Sequence, residues 1–193
     1  MKLILGSSSP YRKKLLQRLP VSFECFSPDI DETPLNNETP DDLVERLSIE
    51  KAKEVAKNFQ DALIISSDQI AIFDNQILGK PGTHEKAIAM LSAFSGHTVR
   101  FETGLCVLNT NTGHYQYKSI PTLVHFRALS NQTIERYLEL DKPYQCAGSF
   151  QAEGLGVVLF DRLESKDPSA LIGLPLIELT SMLTAEGFDV LTD

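Results

Sequence analysis

The chain has 193 residues, 42% of them hydrophobic and 23% charged, enough apolar material for one domain with a buried core. Acidic residues outnumber basic ones 26 to 18, and the net charge of −8 argues against extended contact with nucleic acid or an anionic membrane. No apolar run reaches the roughly 18–20 residues of a bilayer span, and the first residues lack a signal peptide's apolar core and cleavage site, so a cytoplasmic location is expected.

Strand and helix signals interleave along the chain, which predicts an α/β class. An apolar strand (Leu3, Ile4, Leu5) runs into Gly6, Ser7, Ser8 and Ser9, and Pro10 opens a helix carrying Arg12, Lys13 and Lys14. Residues 22–26 alternate like a strand, and residues 27–40 form a polar, proline-rich loop. Thr39 caps a helix that starts with Pro40, Asp41 and Asp42 and is predicted to run to about Phe59. A buried strand over 62–66 ends at Ser67-Asp68-Gln69. Residues 70–73 continue extended, and Asp74-Asn75 marks a hairpin turn before 76–78. After Gly79-Lys80-Pro81-Gly82, Thr83 caps a helix through Phe94. Long β segments over 98–108 and 115–126 flank the turn 109–113, Ser130 caps a helix to about Leu140, and 155–160 reads as a strand. Pro175 precedes the last helix, 176–186, with Gly187 after it. No linker or repeat interrupts residues 1–193, so a single domain is expected. Cys25, Cys106 and Cys146 are odd in number and widely spaced, and read as reduced core thiols.

Three constellations carry candidate chemistry. Serine hydroxyls, a helix start and cations at Ser7, Ser9, Arg12 and Lys13 suit an anion such as phosphate, although the spacing is neither a Walker loop nor GxGxxG. Asp68 at the end of a buried strand and Glu32 in an acidic loop suit a hard cation, Mg²⁺ or Mn²⁺, since no histidine pairs with them at metal spacing. Taken alone, Asp68 also reads as a turn or capping aspartate. Lys80 is fixed between glycine and proline, whereas Lys51 alone reads as a surface helical lysine. The segment DPSALIG, 167–173, contains no evident catalytic group and is assigned to core packing.

Taken in order, SSSPYRKKLL, DETP, ERLSIEKA, SDQ, GKP, ETG, VHFR, CAGSF and IGLPL span the whole chain. In these motifs the chain resembles the Maf family of nucleotide pyrophosphatases. The resemblance implies a two-lobed, ITPase-like α/β fold with a bent mixed sheet flanked by helices and a central cleft. It implies divalent-metal hydrolysis of a nucleoside triphosphate between the α and β phosphates, in cytoplasmic and often homodimeric proteins. By resemblance Asp68 is the proton acceptor that activates water, Glu32 is associated with the metal, and Arg12, Lys13, Lys51 and Lys80 line the phosphate site. Tyr11, Gln69 and Glu153 stand where family members acting on dTTP and UTP carry arginine, threonine and glutamine, so the chain is similar to the subgroup acting on 7-methyl-GTP. A tyrosine face attracts the methylated, cationic guanine by roughly 0.5–2 kcal/mol. A carboxylate at Glu153 can accept both guanine N1–H and the exocyclic N–H, an edge thymine and uracil lack. Gln151 departs from the family's basic residue and removes one phosphate contact. A dTTP/UTP pyrophosphatase and a nucleotide-sensing regulator with little turnover are the competing readings.

Overall fold

A computed structural model describes residues 1–192. The elements run β1 (Lys2–Leu5), α1 (Pro10–Leu16), β2 (Phe23–Cys25), α2 (Pro40–Ala56), β3 (Ala62–Phe73), β4 (Gln76–Leu78), α3 (His84–Phe94), β5 (Thr98–Asn109), β6 (Tyr115–Phe126), α4 (Asn131–Asp141), β7 (Phe160–Ser165) and α5 (Leu176–Ala185). The strands form one mixed sheet in the order β2-β1-β3-β5-β6-β7, with β4 antiparallel to β3. The chain divides into two compact units: residues 1–68, 103–120 and from 167 onward make the first, and 69–102 with 121–166 the second. Strands β3, β5 and β6 each run from one unit into the other.

In the first unit β1 pairs in parallel with both β2 and β3, with Leu3 opposite Phe23 and Leu63. Parallel strands are covered on both faces, which is why their sequences are nearly all apolar. Odd-numbered residues of β1, β3 and β5 (Leu3, Leu5, Leu63, Ile65, Leu105) pack with Leu15, Leu16, Leu179 and Leu183 of α1 and α5. Even-numbered ones (Ile4, Ile64, Cys106) pack with Ile49, Ala52 and Val55 of α2. Each such fully buried side chain contributes about 1.5–3 kcal/mol, so these two layers dominate the unit's stability. The strand period of two then carries functional side chains to defined faces: Ser66 and Asp68 to the α2 face, Ser67 to the α1/α5 face.

The helix starts follow the sequence. Ser9, Thr39, Thr83 and Ser130 each accept a hydrogen bond from the backbone N–H three residues on, and Pro10 and Pro40 occupy the first helical position. Asp74 and Asn75 have φ of 49° and 60°, the left-handed pair that a two-residue hairpin turn requires. In the second unit Phe94, Phe126, Phe150 and Phe160 form an aromatic core, with Phe150 and Phe160 edge to face at 4.8 Å.

Three expectations are corrected. Residues 155–160 are not a strand: Leu155–Leu159 is a 3-10 turn, and the strand is Phe160–Ser165. Gly156 N–H closes onto the Gln151 carbonyl at 3.1 Å, and the Phe160 N–H closes the turn itself onto the Val157 carbonyl. The real strand is an edge with exposed polar residues, and an edge needs no apolar pattern. Helix α2 ends at Ala56, and Lys57 caps it, short of Phe59. Of the cysteines only Cys106 is buried; Cys25 lies exposed on the three-residue strand β2 and Cys146 is half-buried.

Candidate active site

Helix α2 and strand β3 bring Lys51 and Asp68 together on the sheet face predicted by alternation. Lys51 Nζ lies 2.6 Å from Asp68 Oδ1 and 2.7 Å from Glu32 Oε1. Lys51 and Asp68 are buried, and Glu32 reaches in from the exposed loop before α2. Lys51 is therefore not a surface lysine. Its helix is seated by two contacts one turn earlier. Ser66 Oγ donates to the Ser48 carbonyl at 2.6 Å, and Gly104 leaves room for Ser48: a Cβ at position 104 would collide with Ser48 Oγ and Val44. Ser48 and Lys51 share one helix face, so this close approach sets how far Lys51 reaches along β3.

The loop bearing Glu32 is tied down locally. Asp31 Oδ1 accepts from Thr33 N–H at 2.9 Å, and Arg46 of α2 pairs with Glu38 at 2.6 Å and donates to the Thr33 carbonyl at 3.1 Å. The Arg46 guanidinium holds the Glu38 carboxyl well below its ordinary value of 4.5, at about 2.

The serine corner folds as a helix entry. Ser9 Oγ accepts from Arg12 N–H, while buried Ser7 accepts from Ser9 N–H at 3.1 Å and from Arg12 Nη1 at 3.5 Å. Arg12 Nε donates to the Gly173 carbonyl at 2.8 Å. Burial pushes the Arg12 guanidinium below its ordinary value, and the charges of Asp68 and Glu32 oppose that shift. The attraction places Arg12 in the electrostatic field of the Lys51 cluster. Lys51 is thus shared by two carboxylates, and Arg12 is the second positive charge in their field.

Glu32 and Asp68 converge on Lys51 Nζ, and as hard oxygen donors they are of the type that suits Mg²⁺ or Mn²⁺, which take one or two carboxylates and complete their shells with phosphate and water. Among the described residues no group of three or more His, Cys, Asp or Glu is arranged to hold a metal without such help.

The other predicted residues fall as follows. Tyr11 is half-buried on α1 beside Arg12, and Lys13 is exposed in the last turn of that helix. Gln69 follows Asp68 on β3 and is half-buried. Lys80 and Glu153 are exposed and belong to the second unit; Lys80 borders a cavity of about 450 Å³ lined by Phe73, Leu78, Lys86, Met90 and Phe94. The first unit alone therefore assembles Ser7, Arg12, Glu32, Lys51 and Asp68.

Sequence reasoning missed the work of DPSALIG, and its assignment to packing is incomplete. Buried Asp167 accepts from Ile177 N–H at 2.7 Å and Glu178 N–H at 3.3 Å at the start of α5, and the segment ends on the carbonyl that holds Arg12. A glycine between two apolar residues at 173 was the available signal.

The mixed α/β fold is similar to the Staphylococcus aureus Ham1 protein, with a TM-score of 0.55 at 13% identity over 96% of this chain and 100% of that one, a likeness of fold alone. Residues 2–186 match the Maf-like protein family, and the chain belongs to it. Similar relatives include the 7-methyl-GTP pyrophosphatases of Nitrosococcus oceani, 53% identical over 98% of this chain and 95% of that protein, and Pseudomonas syringae pv. tomato, 54% identical over 97% and 98%. The 7-methyl-GTP pyrophosphatase of Colwellia psychrerythraea is 49% identical over 99% and 96%.

Proposed function

We propose that this chain hydrolyses 7-methyl-GTP to 7-methyl-GMP and diphosphate in the cytoplasm, with Mg²⁺ or Mn²⁺. The convergence of Asp68 and Glu32 on the Lys51 ammonium, with Arg12 in their field, carries the reaction class. Relatives at 49–54% identity over nearly the whole chain carry the substrate.

Water attacks phosphorus, the bridging oxygen bond between the α and β phosphates breaks, and diphosphate leaves. Asp68 takes the water proton, and its bond to Lys51 fixes which carboxylate oxygen is engaged and which is left to act. Arg12 grips phosphate with parallel N–H bonds that strengthen as charge builds on the oxygens. Lys51 keeps two like charges together that would otherwise repel. Glu32 and Asp68 would hold the cation, which supplies charge neutralisation on the triphosphate. Tyr11, Gln69 and Glu153 select the base, while Ser7, Ser9, Lys13 and Lys80 support the phosphates.

A kinetic panel of 7-methyl-GTP, GTP, dTTP and UTP with Mg²⁺ or Mn²⁺ tests the reading. The highest kcat/KM belongs to 7-methyl-GTP, with diphosphate rather than phosphate released. An equal or higher value for dTTP or UTP overturns the substrate assignment, and absence of turnover on all four overturns the reaction.

A further inference from the structure

Two side chains donate to one backbone oxygen near the site. Arg12 Nε reaches the Gly173 carbonyl at 2.8 Å and Ser67 Oγ reaches the same oxygen at 2.9 Å. Ser67 is fully buried, and it sits on β3 immediately before Asp68.

The peptide that presents this carbonyl is fixed from several sides. Gly173 has φ +117°, where side chains are strained, and a Cβ there would lie 3.4 Å from Arg12 Nε. Upstream, Thr103 Oγ1 donates to the Ala170 carbonyl at 3.0 Å, and Gly173 N–H returns to the same carbonyl at 2.9 Å. Asp167 accepts from Ser169 Oγ at 2.6 Å, and Ser169 Oγ in turn accepts from Leu176 N–H at 2.7 Å. The segment is thereby bracketed to β5 on one side and to the start of α5 on the other.

A guanidinium has five N–H donors in a rigid plane. Committing Nε to a fixed carbonyl leaves the Nη edge, of which Nη1 also reaches Ser7 Oγ at 3.5 Å, as the one that can grip an anion, and sets its direction. An untethered guanidinium in the field of Asp68 and Glu32 would instead be drawn toward those carboxylates.

We infer that Gly173 and Ser67 are positioning residues for Arg12: their shared carbonyl junction aims the guanidinium at the substrate's phosphates and keeps it from collapsing onto the acidic cluster. This rests on the reading of Arg12 as a phosphate-binding residue. It gives the 167–173 segment a role in the reaction that reaches Arg12 without touching substrate. Lysine at position 12 would fill it poorly, because its three N–H donors radiate from one nitrogen and give no rigid second edge directed at the phosphates.

A mutant cycle tests the inference, reading inorganic diphosphate affinity by calorimetry and the KM and kcat for 7-methyl-GTP. Arg12→Ala tests the underlying reading; unchanged diphosphate affinity and KM in that variant overturn both. Gly173→Ala is expected to weaken diphosphate binding and raise KM about tenfold in the wild-type background, and to add less than about twofold in the Arg12→Ala background, because coupled residues are not additive. Ser67→Ala follows the same pattern with about a threefold effect, and it decides the matter if Gly173→Ala fails to fold. If Arg12→Ala weakens binding while neither partner variant does, or if their effects persist in full without Arg12, the positioning role is refuted and the phosphate reading stands.

Discussion

Asp68 accepts a 2.6 Å hydrogen bond from Lys51, 17 residues earlier in the chain, and both side chains are buried. A charge pair withdrawn from water depends on its partner far more than an exposed one does. Glu32, which meets the same ammonium from the solvent side at 60% side-chain exposure, depends on it less.

This asymmetry predicts a coupling energy. Lys51→Met leaves Asp68 buried without its cation and is expected to lower unfolding free energy by about 3 kcal/mol, measured by urea titration. In the Asp68→Asn background the same change costs less than half as much, since no charge remains to be stranded. Equal costs in the two backgrounds would mean that the pair does not form in solution.

Base selection gives a second prediction. Glu153→Gln removes an acceptor for guanine N–H groups, and the ratio of kcat/KM for 7-methyl-GTP over UTP should fall by about tenfold or more. Diphosphate affinity should stay within about twofold of wild type, because the phosphate site is untouched. A selectivity ratio that survives the change moves base recognition away from position 153.

Acid stability follows from the loop before α2. Glu38 has a folded-state pKa of about 2 against an ordinary 4.5, held down first by its hydrogen bond to Arg46. A depressed carboxyl contributes its full stabilisation above pH 4.5, and that contribution drains away as pH falls from 4.5 towards 2. Stability measured by urea titration should decline across this window, and Glu38→Gln should flatten the decline while lowering stability at neutral pH. A slope unchanged in Glu38→Gln would show that the ion pair with Arg46 does not set it.

Much of the fold was legible because its signals are local. Apolar runs at 3–5 and 62–65, the caps at Ser9, Thr39, Thr83 and Ser130, and the Asp74-Asn75 turn each act through neighbours in sequence. The strand Phe160–Ser165 was hidden because an edge strand carries no apolar pattern, while the apolar turn before it imitated one. Within the candidate site, residue chemistry pointed to Arg12, Glu32 and Asp68, but burial of Lys51 did not show in a helix pattern that also fits a solvated lysine. Beyond the glycine itself, the role of the Gly173 carbonyl was not legible, since a backbone oxygen 161 residues from Arg12 has no side-chain signature.

The most direct test of the account is Asp68→Asn assayed for diphosphate release from 7-methyl-GTP, with binding of the same nucleotide measured in parallel. The amide keeps the shape of the carboxylate and loses its basicity, so kcat should fall by about 10²-fold or more while nucleotide affinity stays within about threefold. Turnover at the wild-type rate in this variant would contradict the assignment of Asp68 as the group that takes the proton from water.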